Sequence, residues 1–245
     1  MSEYGRHGRV ALIVPPSNPT VEPEMVQLLP ESVALYTQRL PIGDGDLRER
    51  LLGYNDALPG CVASFGNLSI DVAYYACTGA SYLVGATRDD ALRESMMTLP
   101  NVGTALTAAD SIVRFCRYFR IKRIAMISPY PEWLTTFASE FWANSGLQIT
   151  GIAHVPLNAG ESVYDVTTAA LLPVAQELSS LEPDALLLSG TGMPTLETAR
   201  AVTESTDILT LSSSIAAAWS ILQLLGVDHP DVYAEAEELR HILQA

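Results

Sequence analysis

The chain has 245 residues, of which 48% are apolar and 17% charged, and its formal net charge at neutral pH is −14. This composition is that of a globular protein with one large domain or two smaller ones, and it excludes a disordered chain. The acidic balance, with no basic patch to neutralise phosphates, argues against a nucleic-acid partner. An anionic ligand would therefore be held by local donors, mainly backbone N–H groups and hydroxyls.

The N-terminal segment and the cysteines predict a cytoplasmic protein. Residues 1–14 contain no apolar segment followed by a cleavage site, so no secretory signal is expected. No apolar run approaches the roughly 20 residues that a membrane span needs. The three cysteines lack paired spacing, which indicates a reducing compartment without disulfides. The four His residues are scattered, so no metal site is predicted.

Short apolar segments alternate along the chain with longer segments of helical period, which is typical of βαβ units. Strands are predicted near 9–14, 33–39, 71–76, 101–104, 123–128, 148–155, 184–189 and 207–211. Helices are predicted near 19–29, 45–67, 79–97, 106–119, 131–145, 163–180, 194–204, 214–225 and 230–243. Several strand segments are apolar at both parities, which indicates parallel strands covered on both faces.

The two halves of the chain repeat one pattern. RVALIVPPS at 9–17 is echoed by RIAMISP at 123–129, and Pro59 matches Pro173 at the same sequence offset. The repeat predicts an α/β protein with two pseudo-symmetric lobes, each a parallel sheet flanked by helices, with the active site in the cleft between them. We expect a first lobe at 1–118 and a second at 119–227, with a C-terminal helix in 228–245 as a candidate to complete the first lobe.

The repeat differs at one position that carries chemistry. In the first copy of the repeat, the third predicted strand is followed by Cys77-Thr78-Gly79. In the second copy, the corresponding strand is followed by Gly190-Thr191-Gly192. Ligands bind at the carboxyl ends of parallel strands, and backbone N–H groups at a following helix lower the pKa of a thiol there. The alternative is a buried structural cysteine, which is the reading we favour for Cys61 and Cys116.

Polar turns follow three other strand ends. Ser17, Asn18 and Thr20, in Pro15–Glu24, are candidate helix N-caps and anion donors. Tyr130 offers a phenol at the equivalent turn of the second copy. The glycines of 189–192 allow a ligand to approach the backbone closely. Ser212–Ser214 are either a further donor set or an N-cap run.

These segments resemble the aspartate/glutamate racemase superfamily, in particular its maleate cis–trans isomerase and arylmalonate decarboxylase branch. The matching segments, in family order, are IVPPSNPTVEPEM, YACTGAS, ISPY, LLLSGTGMPTL and LSSSIAAAWSIL. The resemblance implies a two-lobe enzyme that binds a small dicarboxylate without a metal or an organic cofactor. We also expect a homo-oligomer, the default for soluble enzymes.

The resemblance also implies roles for individual residues. Cys77 takes the place of the first-lobe nucleophile or proton-transfer thiol, and Asn18 takes that of the asparagine that orients a substrate carboxylate. The remaining donors toward carboxylates are Tyr130, Thr78 and the N–H groups around Gly79 and Thr191. Ser17 and Gly190 complete the set of expected substrate-binding residues.

The chain departs from two-cysteine members of the family at Gly190, where they carry a second thiol. A racemase needs an acid and a base on opposite faces, so racemisation is not expected. Cis–trans isomerisation through a Cys77 adduct is the leading hypothesis, because one thiolate suffices for it. Decarboxylation of a substituted malonate, with Cys77 as proton donor, is the alternative. A non-catalytic binding protein for small acids is a third reading.

Overall fold

The computed structural model describes residues 3–157 and 160–227, which form two parallel four-stranded sheets flanked by helices. The strands are β1 (Gly8–Val14), β2 (Val33–Arg39), β3 (Ile70–Tyr75), β4 (Val102–Thr107), β5 (Arg123–Ser128), β6 (Gln148–His154), β7 (Ala185–Leu188) and β8 (Thr210–Ser212). The helices are α1 (Val21–Leu28), α2 (Leu47–Ala63), α3 (Thr78–Val84), α4 (Ala86–Met97), α5 (Ala108–Tyr118), α6 (Glu132–Asn144), α7 (Thr168–Ser179), α8 (Leu196–Thr206) and α9 (Ser213–Leu225). None of the helices within these ranges is long and apolar enough to cross a membrane.

The two sheets have the same strand order, which confirms the internal repeat. It is β2-β1-β3-β4 in the first sheet and β6-β5-β7-β8 in the second, with parallel pairing throughout. The repeated aspartates also perform the same task. Asp71 accepts the N–H of Arg9 at the start of β1, and Asp184 accepts the N–H of Arg123 at the start of β5, each at 2.8 Å.

Three predicted helices differ from the structure, each for a local reason. The segment predicted as one helix at 79–97 is broken into α3 and α4 by Gly85, whose φ of +78° a helix cannot contain. The helix predicted from 106 begins at 108, because Thr107 ends β4 and its hydroxyl caps α5. The segment at 163–180 opens with a 3₁₀ turn at Val163–Asp165 before α7 begins.

One core joins the two lobes. A single cluster of buried apolar residues extends from Ile13 and Ala73 of the first sheet to Met126 and Leu187 of the second. The last described helix, α9, packs on strand β3 and helix α5 of the first half of the chain, although it follows the last strand of the second sheet. The lobe limits at 118/119 and 227 remain a prediction, and the predicted helix at 230–243 lies outside the described residues.

Candidate active site

The carboxyl ends of both sheets open onto one cavity of about 250 Å³. The turns that follow β1, β3, β5 and β7 all contribute to its lining. Of the eight residues predicted for the site, six line this cavity: Ser17, Asn18, Cys77, Tyr130, Gly190 and Thr191. Thr78 and Gly79 begin α3 directly behind Cys77 and contact Tyr130. The parallel topology therefore brings together residues that are up to 174 positions apart (191 − 17).

Cys77 is a buried thiol, 5% exposed, at the position before α3. The backbone N–H groups of Ala80 and Gly79 and the phenol of Tyr75 contact its sulfur, and these donors lower its pKa as the sequence predicts. Burial opposes them and is the larger effect, so the pKa of Cys77 is raised to about 11. The prediction of a lowered pKa is therefore wrong for this pocket, and the thiol carries its proton at neutral pH.

Tyr130 reaches across from the second lobe to the start of α3. Its hydroxyl lies 2.8 Å from the Thr78 hydroxyl and accepts the Gly79 N–H. A Cβ atom at Gly79 would lie 3.3 Å from this phenol, so glycine permits the close approach. Burial, and then the neighbouring Cys77, raise the pKa of Tyr130, so its phenol keeps its proton at neutral pH and can act as a hydrogen-bond donor. The phenol and the thiol thus face the same part of the pocket.

Asn18 and Thr191 bind each other across the cleft. The Asn18 amide donates to the Thr191 carbonyl at 3.0 Å and to its hydroxyl at 3.2 Å. Its Oδ1 accepts the N–H groups of Thr20 and Val21 at the start of α1, and of the candidate N-caps it is Thr20 that takes that position. The Thr191 hydroxyl donates to the Ala76 carbonyl at 3.0 Å. Both side chains thus hold the two lobes together, and their roles toward a substrate remain predictions.

Gly190 has the backbone conformation that its turn requires. Its φ is +88°, which side chains rarely tolerate, and an added Cβ atom would lie 2.8 Å from Cγ of Pro129. Its carbonyl accepts the Ser213 hydroxyl at 2.7 Å, whereas the Ser212 hydroxyl caps α9. Ser212, the last residue of β8, therefore caps α9, and Ser213 supports the turn at Gly190.

Three polar residues of the pocket escaped the sequence analysis: Arg50, Tyr54 and Tyr164. Arg50 and Tyr54 are four residues apart on α2. With Leu47 and Leu51 they form the face of that helix that lines the pocket. The same spacing is typical of any helix packed on a core, so it did not distinguish a pocket wall. Within 3–157 and 160–227, no cluster of three or more His, Cys, Asp or Glu side chains is placed to hold a metal ion.

The chain is similar to known proteins over most of its length. The family model described as arylmalonate decarboxylase matches residues 10–236. A maleate isomerase of Geobacillus stearothermophilus is 25% identical over 91% of this chain and 93% of its own length.

Two solved structures share the fold. The maleate isomerase of Pseudomonas putida superposes with a TM-score of 0.81 at 23% identity, covering 90% of this chain and 93% of that one. A cysteine-to-serine variant of the Nocardia farcinica maleate cis–trans isomerase, with a covalently bound succinylcysteine intermediate, gives a TM-score of 0.78 at 24% identity and the same coverage.

Proposed function

The chain belongs to the arylmalonate decarboxylase family, and on this premise we propose that it is a cofactor-independent, cysteine-dependent cis–trans isomerase of a small dicarboxylic acid. One observation carries the proposal: Cys77 and Tyr130 face one pocket at the paired strand ends of the two lobes. The maleate isomerase relative, similar over nine-tenths of the chain, supports isomerisation. Because both kinds of relative are enzymes, a purely binding role is not proposed.

The reaction requires one thiolate. Cys77 first releases its proton to solvent. Its sulfur then bonds to one alkene carbon, and the π-electron pair moves onto the neighbouring carbon and its carboxylate. Rotation about the resulting single bond exchanges cis for trans. Return of the electron pair then breaks the C–S bond and restores the thiolate, so no reactant besides the acid is consumed. The succinylcysteine of the Nocardia farcinica relative supports such an adduct.

The surrounding donors suit the charge that forms. Charge that collects on the carboxylate during addition is stabilised by preorganised N–H and O–H donors. The Gly79 and Ala80 N–H groups and the Tyr130 phenol lie at Cys77 and supply such donors. Asn18 and Thr191 would contribute after exchanging their mutual hydrogen bonds for bonds to the substrate.

The test is acid-quenched mass spectrometry of the protein incubated with maleate, together with detection of fumarate. We expect a succinyl adduct on the peptide that contains Cys77, fumarate in solution, and neither in the Cys77→Ser variant. Cys61→Ser is the matched control, because Cys61 is a buried thiol outside the pocket lining, and it should retain both signals. Fumarate formation by Cys77→Ser, or its absence with the unmodified protein, would refute the proposal.

The raised pKa of Cys77 favours one alternative, decarboxylation of a substituted malonate. A thiol that keeps its proton at neutral pH is suited to protonating the enediolate left by loss of CO2. Release of CO2 from a substituted malonate, with a product of single handedness, would support this reaction in place of isomerisation. A racemic product would contradict protonation from Cys77 alone.

A further inference from the structure

The pocket has two chemically different walls. The inner wall carries the Cys77 thiol and the Tyr130 phenol. The outer wall carries Arg50 and Tyr54 from α2, with Tyr164 from the loop before α7. The Tyr164 ring packs directly on Gly192, where an added Cβ atom would lie 2.7 Å from Cε1 of the ring.

Arg50 is the cation of this wall. It is exposed on α2 and lines the pocket, and its guanidinium has no ion pair with any residue in the described ranges. No carboxylate side chain is among the described residues that line the cavity. A positive group therefore faces the pocket of a protein whose net charge is −14. That charge favours an anion at this end of the pocket.

The Arg50 guanidinium and the Cys77 thiol both shift the pKa values of the same two phenols, Tyr54 and Tyr164. Both groups are therefore within electrostatic reach of one small ligand. Burial and then Cys77 raise the pKa of Tyr54, and Arg50 opposes them. The pKa of Tyr164 is raised by the same two causes, and Arg50 again opposes. Both phenols therefore keep their protons and can donate to an anion that Arg50 attracts.

We propose that Arg50, with the hydroxyls of Tyr54 and Tyr164, binds the far carboxylate of the substrate and makes the second acid group the basis of selection. The planar guanidinium matches a carboxylate in bidentate fashion. An acid whose far end is an amide or an apolar group leaves this charge without a partner and is bound more weakly. This inference rests on the proposed small-dicarboxylate substrate, and it favours two persistent carboxylates over a malonate with an apolar substituent.

The first experiment separates binding from chemistry in Arg50→Gln and Arg50→Lys. For maleate we expect Arg50→Gln to raise KM about 10-fold or more, the effect of losing a charge-assisted hydrogen bond, with kcat changed much less. Arg50→Lys should fall between, because it keeps the charge without the planar fork. The monoamide of maleic acid should be a poor substrate for the unmodified enzyme and should not worsen further in Arg50→Gln.

Arg48→Gln is the matched control. Arg48 lies on the same helix but outside the pocket lining, over the rings of Trp133 and Phe137. Arg48→Gln removes the same single positive charge as Arg50→Gln. It should leave KM unchanged. An equal rise of KM in both variants would show a general effect of charge and would overturn the proposal.

The second experiment does not depend on turnover. Calorimetric titration with succinate and with succinamate measures binding by the unmodified protein and by Arg50→Gln. We expect succinate to bind the unmodified protein at least 10-fold more tightly than succinamate does, and Arg50→Gln to abolish that difference. If succinate binds in this way while maleate forms no adduct at Cys77, the proposed reaction fails and the inference about Arg50 stands. Equal binding of the two ligands, or no binding of succinate, would overturn the inference.

Discussion

Cys77 illustrates how two opposing effects on one side chain are decided by magnitude. The sequence places it before a helix, where N–H groups favour the thiolate, and those contacts exist. A side chain 5% exposed loses most of its hydration, however, and the net pKa is about 11. Ionisation is thus unfavourable at neutral pH, and formation of the thiolate is a separate step in any mechanism that uses it as a nucleophile.

This state of Cys77 predicts how alkylation depends on pH. Only the thiolate reacts with iodoacetamide, so the rate at Cys77 should rise about tenfold per pH unit through pH 9 without reaching a plateau there. Peptide mass spectrometry distinguishes Cys77 from Cys61 and Cys116, and the pKa of Cys116 is also raised, to about 12. Glutathione provides the reference for an ordinary thiol in the same samples. A plateau at Cys77 below pH 8 would show that the donors outweigh burial.

The sequence identified the site better than it identified what each residue does there. Cys77 and Gly190 were found because the repeat aligns two strand ends, and both line the cavity. The mutual hydrogen bonds of Asn18 and Thr191 were not predictable, because they join residues that are 173 positions apart. Arg50 was missed because nothing in its local sequence distinguishes an exposed arginine at a pocket from one in bulk solvent.

At the scale of elements, the turn at Pro15–Glu24 is a contact between lobes. The Thr20 hydroxyl donates to the Gly192 carbonyl at 2.5 Å, and the Glu24 carboxylate accepts the Thr195 N–H at 2.6 Å. Glu24 also accepts the Leu196 N–H, so a side chain of α1 caps the start of α8 in the other lobe. Thr20 and Glu24, which belong to a motif that suggests ligand binding in the sequence, thus serve to position the walls of the pocket.

Glu24→Gln tests this contact between the lobes. Burial raises the pKa of Glu24, but its accepted hydrogen bonds oppose that shift and stabilise the carboxylate. Replacement by an amide loses acceptor capacity at the start of α8, and we expect the free energy of unfolding to fall by about 1–3 kcal/mol in urea titrations at pH 7.

The control for this variant is Glu22→Gln on the same helix. Glu22 pairs with Arg39 at the surface, where such pairs contribute about 0–1 kcal/mol. Equal losses in the two variants would contradict a special role for the buried carboxylate. Thermal unfolding of both variants provides an independent ranking.

The order and type of the elements were largely predictable, and their boundaries were not. All eight strands within 3–157 and 160–227 were found from apolar runs bounded by Pro, Gly and polar residues. The break at Gly85 escaped prediction because a single glycine inside a helical pattern is compatible with a continuous helix. The packing of α9 on the first sheet is a tertiary property that its own amphipathic pattern does not encode.

At the scale of the whole molecule, the two lobes share one core. Trp219 of α9 lies against three aromatic rings of the α5 segment, with centroid distances of 5.5 Å to Phe115, 5.7 Å to Phe119 and 4.9 Å to Tyr118. Because α5 follows the first sheet and α9 follows the second, this cluster connects the ends of both halves of the repeat. Separation of the two halves would therefore expose the aromatic rings of this cluster to solvent.

This shared core predicts that the protein unfolds in a single transition despite its two sheets. Trp219 is 6% exposed, so Trp219→Ala should lower the free energy of unfolding by about 3–5 kcal/mol and leave the transition single. Calorimetric and van't Hoff enthalpies should agree for the unmodified protein and the variant. Trp133→Ala is the control, because Trp133 is only partly buried on α6 and should cost much less. Two resolved transitions in the unmodified protein would show that the lobes unfold as separate units. A Trp219→Ala loss no larger than that of Trp133→Ala would contradict a stabilising role for the Trp219 cluster.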